Sequence, residues 1–240
     1  MSYNSPLDDS LSRRSADGAG TVDLGLRRYM LRVYNIMAGG LGLTGLVAYA
    51  AVASGFYQLV AGTPLIWVVM LAPLALVLLL SFRIEKMSVG AAQTAFWGYA
   101  ALMGLSLAGI FLVYTGTSIA RVFFISAATF AATSLYGYTT RRDLSRFGSF
   151  LFMGLIGIVL ASLVNLFIGS SALQFAVSVI GVIVFTGLTA WDTQRIKEIY
   201  LESDPADVLA KKALMGALAL YLDFVNLFVM LLQLVGQRRA

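Results

Sequence analysis

Residues Ala213–Val235 read ALMGALALYLDFVNLFVMLLQLV, an apolar run interrupted in its middle by one acid, Asp223. As a helix these residues span about 34 Å, enough to cross a bilayer core roughly 30 Å thick. A carboxylate at that depth costs several kcal/mol if charged and alone, so it requires compensation: a proton, a cation, or a second carboxylate. The only other acid in the chain placed to be that second carboxylate is Asp192, near the end of the preceding apolar run.

Working outward, 59% of the 240 residues are hydrophobic and only 12% are charged, which marks a polytopic membrane protein. The expected fold class is an all-α membrane protein, a seven-transmembrane helix bundle. Its apolar segments fall at about 31–53, 65–82, 90–113, 118–139, 147–168, 172–194 and 213–235. Residues 1–28 are rich in Ser, Asp, Gly and Arg and read as a disordered cytoplasmic tail, leaving 29–240 as one transmembrane domain. No secretory signal precedes the first apolar run, so that run is expected to stay as an anchor. Pro64 suits the first turn of a helix, and Pro73 is expected to kink the second span. With the amino terminus cytoplasmic, the outer side keeps only Arg121, Arg238 and Arg239 of the 17 basic residues. The carboxy terminus then faces outward, unless a re-entrant segment returns it. Tyr29, Tyr34, Tyr57, Trp67, Tyr114, Trp191 and Tyr200 lie near span ends, as an aromatic belt would.

Several function classes drop out. There is no Cys and no His, so thiol chemistry, disulfides, the commonest zinc and haem ligands and a histidine base are all absent. The net charge of +5 belongs with loop bias, and no basic patch with stacking aromatics points to nucleic acid. A retinal protein needs a Lys within a span, and none of the seven runs holds one. No internal repeat supports an inverted-repeat transporter. Gly39, Gly40, Gly42, Gly45, Gly154, Gly157, Gly181 and Gly187 are expected to mark close helix packing. Asn165 and Asn226 are expected either to bond between helices or to orient a carboxylate.

Should Asp192 and Asp223 meet, they titrate as one coupled unit, a pH sensor without histidine. Depth arithmetic opposes a meeting. Asp223 lies about 15 Å beyond Ala213, whereas Asp192 lies within about 3 Å of its own segment end. The side chains touch only if the last helix starts outside the hydrocarbon, is broken, or tilts strongly.

Ala219–Phe228, ALYLDFVNLF, closely resembles the signature in the last helix of the Bax inhibitor family, the transmembrane Bax inhibitor motif proteins. Gly187–Lys197, GLTAWDTQRIK, resembles that family's sixth helix, with an aromatic–Asp step followed by Gln and a basic residue. Tyr136-Gly137-Tyr138 before Arg141–Ser145, and Gly181–Phe185, are similar to its bacterial branch. The resemblance covers about residues 25 to 238. It implies a non-enzymatic, calcium-permeable leak pathway of the bacterial inner membrane, with Asp192 and Asp223 as pH sensor and gate. It also implies a basic partner from the end of the second span, either Arg83 or Lys86. No cofactor is expected beyond calcium held weakly by Asp192 and Asp223; the partners are the lipid bilayer, calcium ions and other membrane proteins. Two other functions compete with this reading. An intramembrane aspartyl protease also uses two aspartates, but its Tyr-Asp and Gly-x-Gly-Asp motifs are missing. A modulator that binds other membrane proteins, such as a protease or stress factor, needs the same bundle and switch.

Overall fold

The structure is a computed structural model that describes residues 6–239, with side chains from residue 24 on. Nine helices follow in order among the described residues: α1 (Pro6–Ala53), α2 (Phe56–Ala61), α3 (Leu65–Arg83), α4 (Val89–Leu107), α5 (Ile110–Val113), α6 (Gly116–Thr139), α7 (Ser145–Ile168), α8 (Ser171–Glu198) and α9 (Ala206–Val235). No strand occurs among them. Seven stretches are long and apolar enough to cross a membrane: Leu24–Ala53, Leu65–Lys86, Val89–Val113, Gly116–Thr139, Ser145–Ile168, Ser171–Glu198 and Ala206–Val235. These match the seven expected spans, most of them extended at their ends. Of the tail expected over residues 1–28, residues 1–5 lie outside the described residues, and the backbone of 6–28 continues α1.

Local chemistry explains where the helices start. Ser88, Thr115 and Ser170 each turn a side-chain oxygen onto a backbone N–H of the first turn of α4, α6 and α8. Pro64 stands just before α3, where its missing N–H costs nothing, and α3 continues through Pro73 without interruption. Gly169 ends α7 at a left-handed φ of 66°.

α9 is the central helix. It packs against α8, α1, α6 and α4, and 44% of its span window is buried, against 11% for the peripheral α3 and α7. Its tyrosine Tyr221 meets Tyr99 and Phe96 of α4 edge to face, with ring centroids 5.5 and 6.1 Å apart. Phe224 meets Phe123 and Phe130 of α6 in the same manner at 5.5 and 5.6 Å. Burial also changes the reading of the aromatics: Tyr29 and Tyr114 are core residues here, not members of a surface belt.

The two ends of the bundle differ. At one end the carboxy-terminal residues pair antiparallel with the α5–α6 connection. Arg239 N donates to Val113 O at 2.9 Å, Thr115 N to Gln237 O at 3.0 Å, and Gln237 N to the Ser118 hydroxyl at 2.9 Å. Because α9 is a single unbroken helix, the carboxy terminus lies at the end opposite the α8–α9 loop, as an odd number of spans requires. At the other end, Lys211 Nζ donates to Glu85 O at 3.1 Å and Lys197 Nζ to Tyr138 O at 2.8 Å.

Candidate functional site: a carboxyl pair between the last two helices

α8 and α9 run antiparallel, and three contacts fix their register. Gly216 lies against Ile196, Gly181 lies against Met230, and the Ser178 hydroxyl donates to Gln233 Oε1 at 2.8 Å. This register sets Asp192 level with about Ala219 and Asp223 level with about Leu188, roughly one helical turn apart. In any α-helix the Cα–Cβ bond leans toward the amino terminus. On antiparallel helices the two aspartates therefore lean toward each other, and this closes the turn between them. The carboxyl groups of Asp192 and Asp223 come within hydrogen-bonding reach.

The depth objection is thereby resolved. The apolar run begins at Ala213, but α9 begins at Ala206 and carries Lys211 and Lys212 in its second turn, so it starts outside the apolar slab. Likewise α8 continues to Glu198. Asp223 is 4% exposed, and its Oδ2 has no donor among the described residues. Asp192 is half-buried. A hydrogen bond between two carboxyl groups needs one proton between them, because a carboxylate only accepts. Such a contact is favoured when the pair holds at least one proton.

The basic partner differs from the expectation. Arg83 and Lys86 are exposed at the end of α3, and neither forms an ion pair with the aspartates. The reason is lateral: α3 packs chiefly on α4, at the edge of the bundle away from α8. A nearer basic residue is Arg195, one turn further along α8 from Asp192, with its guanidinium 5.3 Å from the centroid of the Trp191 ring. Among the described residues the one salt bridge joins Lys212 to Asp204 at 2.5 Å, sealing the α8–α9 loop.

The two asparagines behave locally. Asn226 Nδ2 donates back to Leu222 O at 2.8 Å within α9. Asn165 Oδ1 accepts from Ser170 N at 2.9 Å and shapes the α7–α8 turn. Neither forms an interhelical hydrogen bond or one to the carboxyl pair. No cluster of three or more acid ligands occurs among the described residues, so the pair offers a cation only two carboxyl side chains.

Sequence reasoning missed several polar groups around the pair. Thr44 Oγ1 donates to Ala100 O at 2.8 Å and pairs with the Tyr221 hydroxyl at 2.6 Å, tying α1, α4 and α9 together. Ser134 bonds the Tyr34 hydroxyl at 2.6 Å and Thr193 Oγ1 at 2.9 Å, a hydroxyl string that ends beside Asp192 in the chain. Gln194 accepts from Leu144 N at 2.8 Å and donates to Arg142 O at 2.9 Å, so it clasps the α6–α7 connection. Thr44 could have been found as the lone hydroxyl in a Gly-rich stretch. The Ser134 string depends on pairing across helices, which one sequence does not display.

Seven helices long and apolar enough to cross a membrane, six of them arranged about the central α9, with two carboxyl side chains facing each other between the last two, define a polytopic integral membrane protein. Comparison with known proteins places it further. The family model described as Inhibitor of apoptosis-promoting Bax1 matches residues 26–240, and the chain belongs to the Bax inhibitor family. It is 52% identical over 219 residues to the Inner membrane protein YbhL of Escherichia coli (strain K12), covering 90% of this chain and 94% of that one. It is 51% identical over 220 residues to Uncharacterized protein RP147 of Rickettsia prowazekii, covering 91% and 93%. A Caulobacter vibrioides protein is 45% identical over 231 residues, with 91% and 92% covered.

Proposed function

We propose that this protein is a non-enzymatic, pH-responsive calcium leak pathway of the bacterial inner membrane, gated by Asp192 and Asp223. The observation that carries the reading is the contact of these two carboxyls between α8 and α9, with one Asp223 oxygen left without a donor. Losing the shared proton sets two negative charges side by side. At about 4 Å and an effective dielectric of about 20 they repel by ~4 kcal/mol. That is large beside the ~0.6 to 2 kcal/mol of a typical interhelical hydrogen bond in a membrane, so the α8–α9 contact gives way first. Arg195, beside the pair on α8, takes the offsetting role expected of Arg83 or Lys86. Calcium, as cargo, suits oxygen ligands, and two carboxyls fall short of its six to eight, so it would pass weakly held and largely hydrated.

The test is calcium flux from purified protein in liposomes between roughly pH 5 and 8, where a coupled pair titrates. Asp223→Asn replaces the acid with an amide of similar shape that donates to Asp192 without needing a proton. It should remove most of the pH response and leave the bundle folded. Asp192→Asn should do the same, and the double variant should lose little more, because both changes remove one interaction. If both single variants keep the wild-type pH profile, the pair is structural and a modulator that binds other membrane proteins becomes the better reading.

A further inference from the structure

Between the first turns of the α1 span and the last turns of α6 lies an open groove of about 640 Å³. Met30, Leu31, Phe130, Ala131 and Leu135 make its walls, which are apolar. Its polar groups are few and placed apart. The Tyr34 and Ser134 hydroxyls bond each other at 2.6 Å and so need nothing from an occupant. Arg27 lines the groove, exposed, one turn into the span that begins at Leu24. The remaining wall residue, Tyr138, holds a second cation: Lys197 Nζ bonds its carbonyl at 2.8 Å and stands 5.6 Å from its ring centroid. The backbones of α1 and α6 stay apart along this stretch and are bridged by the Tyr34–Ser134 hydrogen bond, with the groove beside it.

We infer that this groove is a binding site for an anionic phospholipid, with one acyl chain between α1 and α6 and the headgroup phosphate on Arg27. Three features favour this occupant over a neutral lipid or a soluble ligand. The walls are largely apolar over about two helical turns, which suits part of an acyl chain. The groove is lined by residues of two membrane-spanning stretches, Leu24–Ala53 and Gly116–Thr139. Its cations stand at the end where headgroups lie, and basic side chains at that level attract anionic lipid. Arg27 can grip a phosphate with two parallel N–H donors, which a neutral headgroup oxygen does not reward. Bound lipid would brace α1 against α6 beside the Tyr34–Ser134 bridge. This inference does not depend on ion conduction.

The full-length protein in a neutral detergent, mixed with equal amounts of phosphatidylglycerol and phosphatidylcholine, provides the test by native mass spectrometry. The wild type should retain phosphatidylglycerol in preference, and that lipid should raise its unfolding temperature more than phosphatidylcholine does. Arg27→Gln should lower the phosphatidylglycerol-to-phosphatidylcholine ratio about fivefold, the change corresponding to ~1 kcal/mol for one basic side chain near the surface. Arg28→Gln makes the same charge change on the neighbouring residue, which does not line the groove, and should leave the ratio within about twofold. Ala131→Trp should fill the groove and reduce retention of both lipids. Equal retention of the two lipids by the wild type would overturn the proposal. So would equal losses in the Arg27 and Arg28 variants, which would mean diffuse surface charge. A dimer cross-linked through Ala131→Cys, without retained lipid, would make the groove an interface between copies and also overturn it.

Discussion

Gly137→Ala adds one methyl group where α6 crosses α8. An added Cβ would lie 2.9 Å from both the Cα and the carbonyl carbon of Ala190, and closer still to its carbonyl oxygen. All three are backbone atoms, so no rotamer change relieves the contact. Ordinary packing begins at 3.4 Å, and the helices must part by at least about 0.5 Å. The Ser134–Thr193 hydrogen bond joins the same two helices one turn away at 2.9 Å, and this displacement takes it to the limit of useful geometry. Overpacking costs about 1–3 kcal/mol, the strained hydrogen bond about 1, and the better helix propensity of Ala returns up to about 1. The net loss is about 1–4 kcal/mol, or roughly 2 to 16 °C in unfolding temperature for a chain of this size. Gly157→Ala is the matched control, since a Cβ there meets nothing within 4 Å. It should be neutral or slightly stabilising. The two variants are compared by thermal unfolding in detergent. If Gly137→Ala melts with Gly157→Ala, the α6–α8 approach is not as tight as described, and the idea that α6 positions the stretch carrying Asp192 fails with it.

Gln194→Ala strands Leu144 N–H and Arg142 C=O, both held by the amide, and should cost about 1–3 kcal/mol, with early proteolysis at residues 140–144 as the readout. The carboxylate of Asp143 accepts from Ser145 N at 2.8 Å; this backbone N–H, then the Ser145 hydroxyl, then Arg146, hold its pKa below the usual carboxylate range. A depressed folded pKa stabilises above the unfolded value of about 3.9 and loses that contribution as pH falls through the folded value. Asp143→Ala should therefore expose the Ser145 amide to exchange at neutral pH, and acid should remove the difference from the wild type. A reporter fused after Ala240 should lie outside the cytoplasm and one in the 199–205 loop inside; a cytoplasmic signal from both would contradict seven spans.

How far the sequence reaches depends on whether a feature lies along one helix or between two. The seven spans were legible because desolvating a backbone demands about twenty apolar residues in a row, and that demand is written locally. Asp192 and Asp223 were legible for the same reason, since an acid in such a run is conspicuous by its cost. Their contact was not, because the apolar run gives the slab and not the helix. Backbone hydrogen bonds carry α9 back through Lys211 and Lys212 to Ala206 whatever the hydropathy, and the lean of each Cβ supplies the remaining turn. Arg83 and Lys86 form no ion pair with the aspartates in this structure for a related reason. Their place in the chain gives the correct end of the bundle but not the side, and α3 is at the edge. Glycines show the limit most plainly. Gly157 and Gly137 both fall in apolar spans and read alike, yet one faces open space and the other touches a backbone carbonyl. What distinguishes them is the identity of the neighbouring helix. The residues that set α6 against the α8 stretch around Asp192, Ser134 on Thr193 and Gly137 on Ala190, belong to that second kind and become visible only once α6 and α8 are set side by side.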